Sequence, residues 1–290
     1  MTLPARVIPF TARLAARRAR WWGIPFRWGS LAAYADALHR RREVRARRRA
    51  EDPDDRWRCC EAWPRALVQK WNGREFARRF GARLPELLWS GPRGEVPLEA
   101  LPPRFALRPL TGRFRKGAHV VVDGRELLRG GAASPDELRR RLRAEGPRTP
   151  VLVEAFVPRG PDDPRLPLEL KCHTFGPRLG VFELIERRGA TAGAARFYTL
   201  AWEPIEDPVS LGIEPAPPRP PPAGLEAARD LAERLGAAIG TFMRIDFFAT
   251  PAGPVFNEFS STPIRNEHGF TPYGEELLGR LWEEHCPGKI

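Results

Sequence analysis

Two carboxylates on paired strands of one hairpin can converge on a hard cation. The stretch Arg244-Ile-Asp-Phe-Phe248, a turn, and Asn257-Glu-Phe-Ser260 has that form. Side chains alternate faces along a strand. Arg244 and Asp246 therefore share one face, away from Ile245 and Phe247. On the return strand Glu258 and Ser260 share a face opposite Asn257 and Phe259. Magnesium takes about six oxygen ligands, and waters and substrate phosphates complete a shell that one or two carboxylates begin. Asp246 and Glu258 are thus candidate metal ligands for a bound nucleoside triphosphate and its phosphoryl transfer. The strands are otherwise apolar, which turns their central charges toward a cleft. On pattern alone, a surface hairpin with Arg244 and Asp246 as a same-face ion pair fits equally well.

Other residues invite a chemical reading. Lys70, Lys116, Lys171 and Lys289 are the four lysines among 48 basic residues. A retained lysine marks a place where a compact ammonium matters more than a planar fork. Glu154 is the single carboxylate in the apolar run Val151-Leu-Val-Glu-Ala-Phe-Val157. The loop Leu110-Thr-Gly-Arg-Phe-Arg-Lys-Gly117 can cover phosphates through backbone N–H groups and cations, or be a basic exposed turn. Cys172 and His173 are adjacent, so a strand sends them to opposite faces and they make no metal pair. The four cysteines, Cys59, Cys60, Cys172 and Cys286, form no C-x-x-C pair and read as reduced thiols. No Ser–His–Asp or Cys–His centre is apparent.

The elements that must position these residues follow from periodicity and punctuation. Residues 30–50 read as a helix capped by Ser30, and 61–90 as helical pieces broken at Asn72-Gly73 and Gly81. Gly91-Pro-Arg-Gly94 and Pro102-Pro103 mark a boundary. Strands are expected at Phe105–Leu107, at His119–Val122 before the turn Asp123-Gly124, at 151–157, and near 168–175, 180–187 and 195–202. Ser134-Pro-Asp-Glu137 is a capping box that opens a helix to about Ala144. The Pro-rich stretch 215–223 is a linker. Residues 224–239 fit an amphipathic helix, the hairpin spans 241–259, and a last helix covers 274–285. The chain is therefore α+β, with a helical front and much antiparallel pairing.

The ordered series Phe105-Ala-Leu-Arg-Pro109, Val153-Glu-Ala-Phe-Val157, Leu168-Glu-Leu-Lys171, Arg244-Ile-Asp-Phe-Phe248 and Asn257-Glu-Phe-Ser-Ser-Thr-Pro263 resembles an ATP-grasp protein. In detail it is similar to the teichuronopeptide-biosynthesis (TupA-like) group, and Lys171-Cys-His-Thr-Phe-Gly176 fits the third block of that group. The resemblance covers about residues 65–285. It implies an ATP-grasp fold, two α+β lobes clamping ATP, after a basic helical N-terminal region. The expected division is 1–60, 61–103 as a helical lead-in, 104–157 as the first lobe and 158–290 as the second.

The resemblance also implies roles. Arg108 stands where the family has a phosphate-contacting lysine, and Lys116 belongs to the loop that covers phosphates. Glu154, Ala155, Phe156 and Val157 would form the strand that meets the adenine. Lys171 would face the nucleotide from the second lobe, Arg244 would steady the transferring phosphate, and Asp246 with Glu258 would bind Mg²⁺. Arg265 and His268 are candidate acceptor contacts. The implied activity is ATP-dependent ligation of an amine or amino acid to a carboxylate of a cell-surface polysaccharide precursor, through an acyl phosphate. The sequence departs from the pattern at Arg108, in the loop, at Ser260 in place of a metal-binding Asn, and after Pro263. A sugar kinase of the same fold, or a member reduced to binding or scaffolding, therefore remains open.

Composition bounds the rest. The net charge is +12 and 42% of residues are apolar, too many for a disordered chain. The first 50 residues hold thirteen arginines against Asp36 and Glu43, or +11, which leaves +1 for the body. The basicity thus belongs to one segment. It reads as a solvated helical face or as a docking site for an anionic membrane surface or acidic polymer. Trp21, Trp22 and Trp28 either anchor it at an interface or pack on the body. Nucleic acid is disfavoured, because neither zinc-finger spacing nor an aromatic ribonucleoprotein motif is present. No secretory or membrane-spanning stretch is apparent, so the expected location is cytoplasmic, with peripheral contact at the inner membrane face.

Overall fold

The computed structural model describes residues 46–60, 63–111, 116–161, 163–210, 213–261 and 270–286. Most of the Arg-rich segment, the loop residues 112–115, and Arg265 and His268 lie outside them. The helices are α1 (Asp54–Trp57), α2 (Lys70–Arg79), α3 (Pro135–Ala144), α4 (Leu225–Ile239) and α5 (Pro272–His285), with a 3₁₀ turn at Trp63–Val68. The strands are β1 (Leu87–Pro92), β2 (Arg104–Pro109), β3 (His119–Val122), β4 (Arg125–Glu126), β5 (Pro150–Ala155), β6 (Leu168–Phe175), β7 (Arg178–Arg187), β8 (Gly193–Tyr198), β9 (Glu214–Pro215), β10 (Phe242–Thr250) and β11 (Gly253–Ser260).

The strands form two sheets, ordered β1-β5-β2-β3-β4 and β11-β10-β6-β7-β8-β9. All pairs are antiparallel except β8–β9. The α+β class and the two-lobed arrangement expected from the sequence are what the structure has.

In the first lobe Phe105, Leu107, Val121, Val151 and Val153 pack with Leu138 and Leu142 of α3. Ser134 caps α3 by accepting from the Glu137 N–H at 3.3 Å, with Pro135 at the first helical position. In the second lobe the odd-numbered Met243, Ile245 and Phe247 join Leu170 and Cys172 beneath the apolar side of α4. The other face meets α5 at one end, through Phe175, Val181, Phe197, Phe242, Leu278 and Trp282. The middle of that face carries the charges.

Residues 61–90 differ from the helical pieces expected of them. Helix α2 runs unbroken through Asn72-Gly73, where a Cβ on Gly73 would stand 2.6 Å from the Leu67 carbonyl oxygen. The glycine marks close packing rather than a break. Leu87–Pro92 is a strand, with Trp89 to Pro92 paired to Val153 to Pro150 of β5. It occupies the sheet edge, where proline is tolerated.

At the end of the Arg-rich segment Arg47 and Arg49 are exposed, while Arg48 turns inward. Arg48 is buried, its backbone N–H donates to Asn72 Oδ1 at 2.9 Å, and its guanidinium lies over Trp57. No helix among the described residues is long and apolar enough to cross a membrane.

Gly236 lets α4 approach the β6–β7 turn, because a Cβ there would fall 2.3 Å from the Gly176 carbonyl oxygen and 3.0 Å from Thr174. Gly236→Ala should therefore destabilise the fold by about 1–3 kcal/mol. A denaturant midpoint equal to that of the parent protein would contradict the close approach.

Candidate active site

The open face of the first sheet and the charged face of the second meet at a cleft. It is lined by Ala106, Arg108, Ala118, Val120, Glu154, Ala155, Phe156 and Val157 from the first lobe, and by Glu169, Arg187, Phe248, Asn257 and Glu258 from the second. Lys70, Lys116 and Leu166 also line it. Strand alternation explains the first set. Ala106 and Arg108 point away from the α3 core that holds Phe105 and Leu107, and Glu154 points away from Val151 and Val153.

The second set depends on an irregularity. Asp246 pairs with Glu258, but Phe247 pairs with Phe256, so Asn257 is an extra residue on β11. Such a bulge re-aims side chains. Simple alternation sets Asn257 opposite Glu258; the bulge brings both into the cleft. Asn257 Oδ1 then accepts from Arg108 Nη1 at 2.5 Å, across the two lobes.

Glu154 is buried, and both its oxygens are engaged. Arg74 Nη1 of α2 donates to Oε1 at 2.6 Å, while Arg108 Nη2 and Nε donate to Oε2 at 2.6 and 3.0 Å. Two further pairs span the cleft wall: Lys70 Nζ lies 3.2 Å from Glu258 Oε2, and Arg187 Nε lies 3.3 Å from Glu169 Oε2. Ala155 and Phe156 donate their N–H groups to the carbonyls of Glu86 and Arg104, so those two donors serve the sheet.

From the hairpin strand β10 a strip of alternating charge runs across β6 and β7 of the same sheet. Lys171 is the register partner of both Asp246 and Glu183, and His173 is the register partner of Arg244. Arg244 donates to Asp246 through Nε and Nη2, each at 2.8 Å, and to Ser260 Oγ at 3.0 Å. His173 Nε2 lies 3.4 Å from Glu183 Oε2. Lys171, Arg244 and Asp246 are not among the cleft-lining residues, whereas Arg108, Lys116, Glu154 to Val157 and Glu258 are.

Burial and neighbouring charge set the titration of this strip. Burial pushes the Asp246 carboxyl up, against the pull of Arg244 and Lys171. Burial also pushes Lys171 down, helped by Arg244 and opposed by Glu183 and Asp246. Burial alone would raise Glu183, yet Lys171 and His173 hold it at about 2. Burial opposes the Arg244 charge, but Asp246 and Glu183 keep its pKa above the ordinary value.

Asp246 and Glu258 are the carboxylates that could hold magnesium, but Asp246 is buried away from the cleft lining with both oxygens accepting from Arg244, and Glu258 is paired with Lys70. Asp246 and Glu258 are directly opposed in register, and Ser260 faces Arg244 on the same side. A carboxylate offers about four lone-pair positions, and Arg244 takes two of those on Asp246. Two carboxylates make half a site, the part magnesium draws from protein when substrate phosphates supply more. Among the described residues no cluster of three or more His, Cys, Asp or Glu is placed to hold a metal alone.

The described end of the basic loop 110–117 is anchored. Buried Arg93 donates to the Glu145 carbonyl at 2.6 Å and to the Gly117 carbonyl at 3.2 Å, next to cleft-lining Lys116. His119 stands beside this anchor, with Nε2 3.0 Å from Glu145 Oε2.

Sequence reasoning did not single out Arg74, Glu169, Arg187 or Asn257 for the site. It set Lys70 apart only as one of few lysines; Lys70 and Lys116 both line the cleft.

No protein-family model and no curated protein matches the sequence. Solved structures do resemble the fold. A D-alanine–D-alanine ligase from Bacillus anthracis is 16% identical with a TM-score of 0.49, over 76% of this chain and 66% of that one. The ATP-grasp ligase PsnB, complexed with Mg and ADP, is 13% identical with a TM-score of 0.45, over 78% and 60%. A RimK domain ATP-grasp protein from Sphaerobacter thermophilus is 14% identical with a TM-score of 0.46, over 77% and 69%. The chain thus spans less than two thirds of the length of the first two.

Burial pushes the imidazoles of His119 and His173 below the ordinary histidine value, against the pull of Glu145 and Glu183. In the unfolded chain both take up a proton near pH 6.5, and in the folded chain only at lower pH. Their contribution to stability is full above about pH 6.5 and is lost as pH falls below it. Thermal melts should show Tm falling on acidification across this window, and His119→Gln should lessen the slope. An identical slope in that variant would contradict a buried neutral His119.

Proposed function

We propose that the chain is an ATP- and Mg²⁺-dependent ATP-grasp ligase that activates a carboxylate and joins it to an amine. The observation that carries this reading is the cleft itself. Residues from every block of the sequence series line it, although the blocks are spread from Phe105 to Ser260. Its wall is divided, with apolar Ala106, Val120, Leu166 and Phe248 suited to a base, and cations Lys70, Arg108, Lys116 and Arg187 suited to phosphates.

A substrate carboxylate oxygen would attack the terminal phosphorus, breaking its bond to the bridging oxygen and releasing ADP. The amine would then attack the acyl carbon, lose a proton, and expel phosphate. Arg108, Lys116 and Lys70 would orient the phosphate oxygens, and Lys171 with Arg244 would offset negative charge from β6 and β10. Asp246 and Glu258 would hold the magnesium ion, which neutralises phosphate charge when bound. Arg265 and His268 would contact the acceptor. The sequence series favours a carboxylate on a cell-surface glycan precursor as that acceptor.

One observation favours a second reading, a module that binds nucleotide without turnover. Arg108 stands in the place of a mobile lysine and is tied to Glu154 and Asn257 at once. Calorimetry showing nucleotide binding, with no ADP release across carboxylate and amine pairs, would select it. A stable phosphorylated sugar would select a kinase instead.

Asp246→Asn and Glu258→Gln should each lower Mg²⁺-dependent ADP release by at least about 100-fold, a loss of the size seen when one electrostatic partner of the transition state is removed. Unchanged turnover in both variants would overturn the assignment.

A further inference from the structure

Lys70 belongs to no block of the sequence series and precedes the first sheet, yet it stands in the cleft. Three hydrogen bonds fix the start of its helix. The Lys70 N–H donates to the Leu110 carbonyl at 3.0 Å, Trp71 Nε1 to the Arg48 carbonyl at 2.9 Å, and Asn72 Nδ2 to the Ala46 carbonyl at 2.8 Å. The backbone is held while the four-carbon stem can turn. Its ammonium rests 3.2 Å from Glu258 Oε2, with side-chain exposures of 12% and 32% for the two partners. Glu258 is also one of the two carboxylates that fit a divalent cation.

We infer that Lys70 is a resident counter-cation of Glu258 that couples metal and nucleotide binding, leaving Glu258 for the phosphates when Mg²⁺ and ATP enter together. This deepens the proposed ligase reading and rests on it. The argument is one of charge and geometry. An ammonium and a divalent cation at one carboxylate repel each other, so Lys70 opposes metal binding while the cleft is empty. A triphosphate supplies the ammonium with a second anionic partner in the same cleft. Lys70 can make that exchange because its charge is compact and its donors rotate, which a guanidinium fork held bidentately cannot do. The start of the ten-residue helix α2 adds a partial positive charge at the same point. Coupling of this kind is reciprocal, so nucleotide that draws Lys70 off Glu258 strengthens metal binding, and metal strengthens nucleotide binding by the same factor. The ammonium by its charge alone disfavours bare metal and favours metal-free nucleotide.

The test uses the full chain and Lys70→Met, which keeps the aliphatic stem, with Lys70→Arg as the charge-retaining control. Mn²⁺ is titrated into nucleotide-free protein by paramagnetic resonance. A non-hydrolysable ATP analogue is titrated by calorimetry in chelator. Lys70→Met should bind Mn²⁺ about 10-fold more tightly and the metal-free analogue about 10-fold more weakly, within the usual range of such coupling. Lys70→Arg should stay close to the parent in Mn²⁺ affinity. Opposite shifts are the signature, because a purely structural role would weaken both. Mn²⁺ affinity that is unchanged or weaker in Lys70→Met overturns the inference while leaving the ligase reading standing. A parent protein that binds neither Mn²⁺ nor the analogue overturns both.

Discussion

The structure turns on one buried carboxylate. Glu154 lies between Arg74 of the helix that precedes the first sheet and Arg108 of the neighbouring strand, and Arg108 reaches on to Asn257 of the second sheet. An ion left alone in such a place costs several kcal/mol, so each member of the group needs the others. Three segments distant in sequence are thereby held at one spacing. That spacing is the cleft. Lys70, one turn before Arg74 on the same helix, makes a parallel tie to Glu258. Helix α2 is thus the piece against which both lobes are set, while its apolar side, with Phe76 and Ala77, is buried against Phe259 and its neighbours.

A second constraint acts within the larger sheet. One face supplies the core beneath α4, and the other has to carry a lysine, an arginine, a histidine and two carboxylates out of water. It can do so because the signs alternate. Lys171 stands between Glu183 and Asp246, and Arg244 closes on Asp246. Glu183 stays ionised despite burial, because the cations around it outweigh the desolvation. Burial pushes Asp246, Lys171 and His173 each toward the neutral form, and their neighbours of opposite charge offset this only in part.

Much of this was legible in the sequence where the signal is local. The Ser134 cap, the apolar side of α4 and the pairing of Asp246 with Glu258 follow from spacing within a dozen residues, where backbone geometry leaves little choice. The missed features depend on distant chain. Leu87–Pro92 contains Gly and Pro that read as breakers, and only its partner β5 makes it a strand. The bulge at Asn257 leaves no mark in an alternating pattern, and its bond to Arg108 joins residues 149 positions apart. Arg187 and Glu169 alternate correctly on their strands, but nothing in either strand says that the exposed face is a cleft wall.

The use of arginine and lysine separates two jobs within that wall. Arg108 makes hydrogen bonds to Glu154 and Asn257 together, which a planar guanidinium can do and a single ammonium cannot. At that position the guanidinium is a strut between lobes. In a chain with so few lysines, three of the four stand in the cleft or next to its hairpin: Lys70 and Lys116 line it, and Lys171 is the register partner of Asp246. Arg108 braces the two sheets with its fork, whereas Lys70 meets Glu258 through a single point charge. The large formal charge of the protein says little about this division, because +11 of it sits in the first 50 residues, ahead of both lobes.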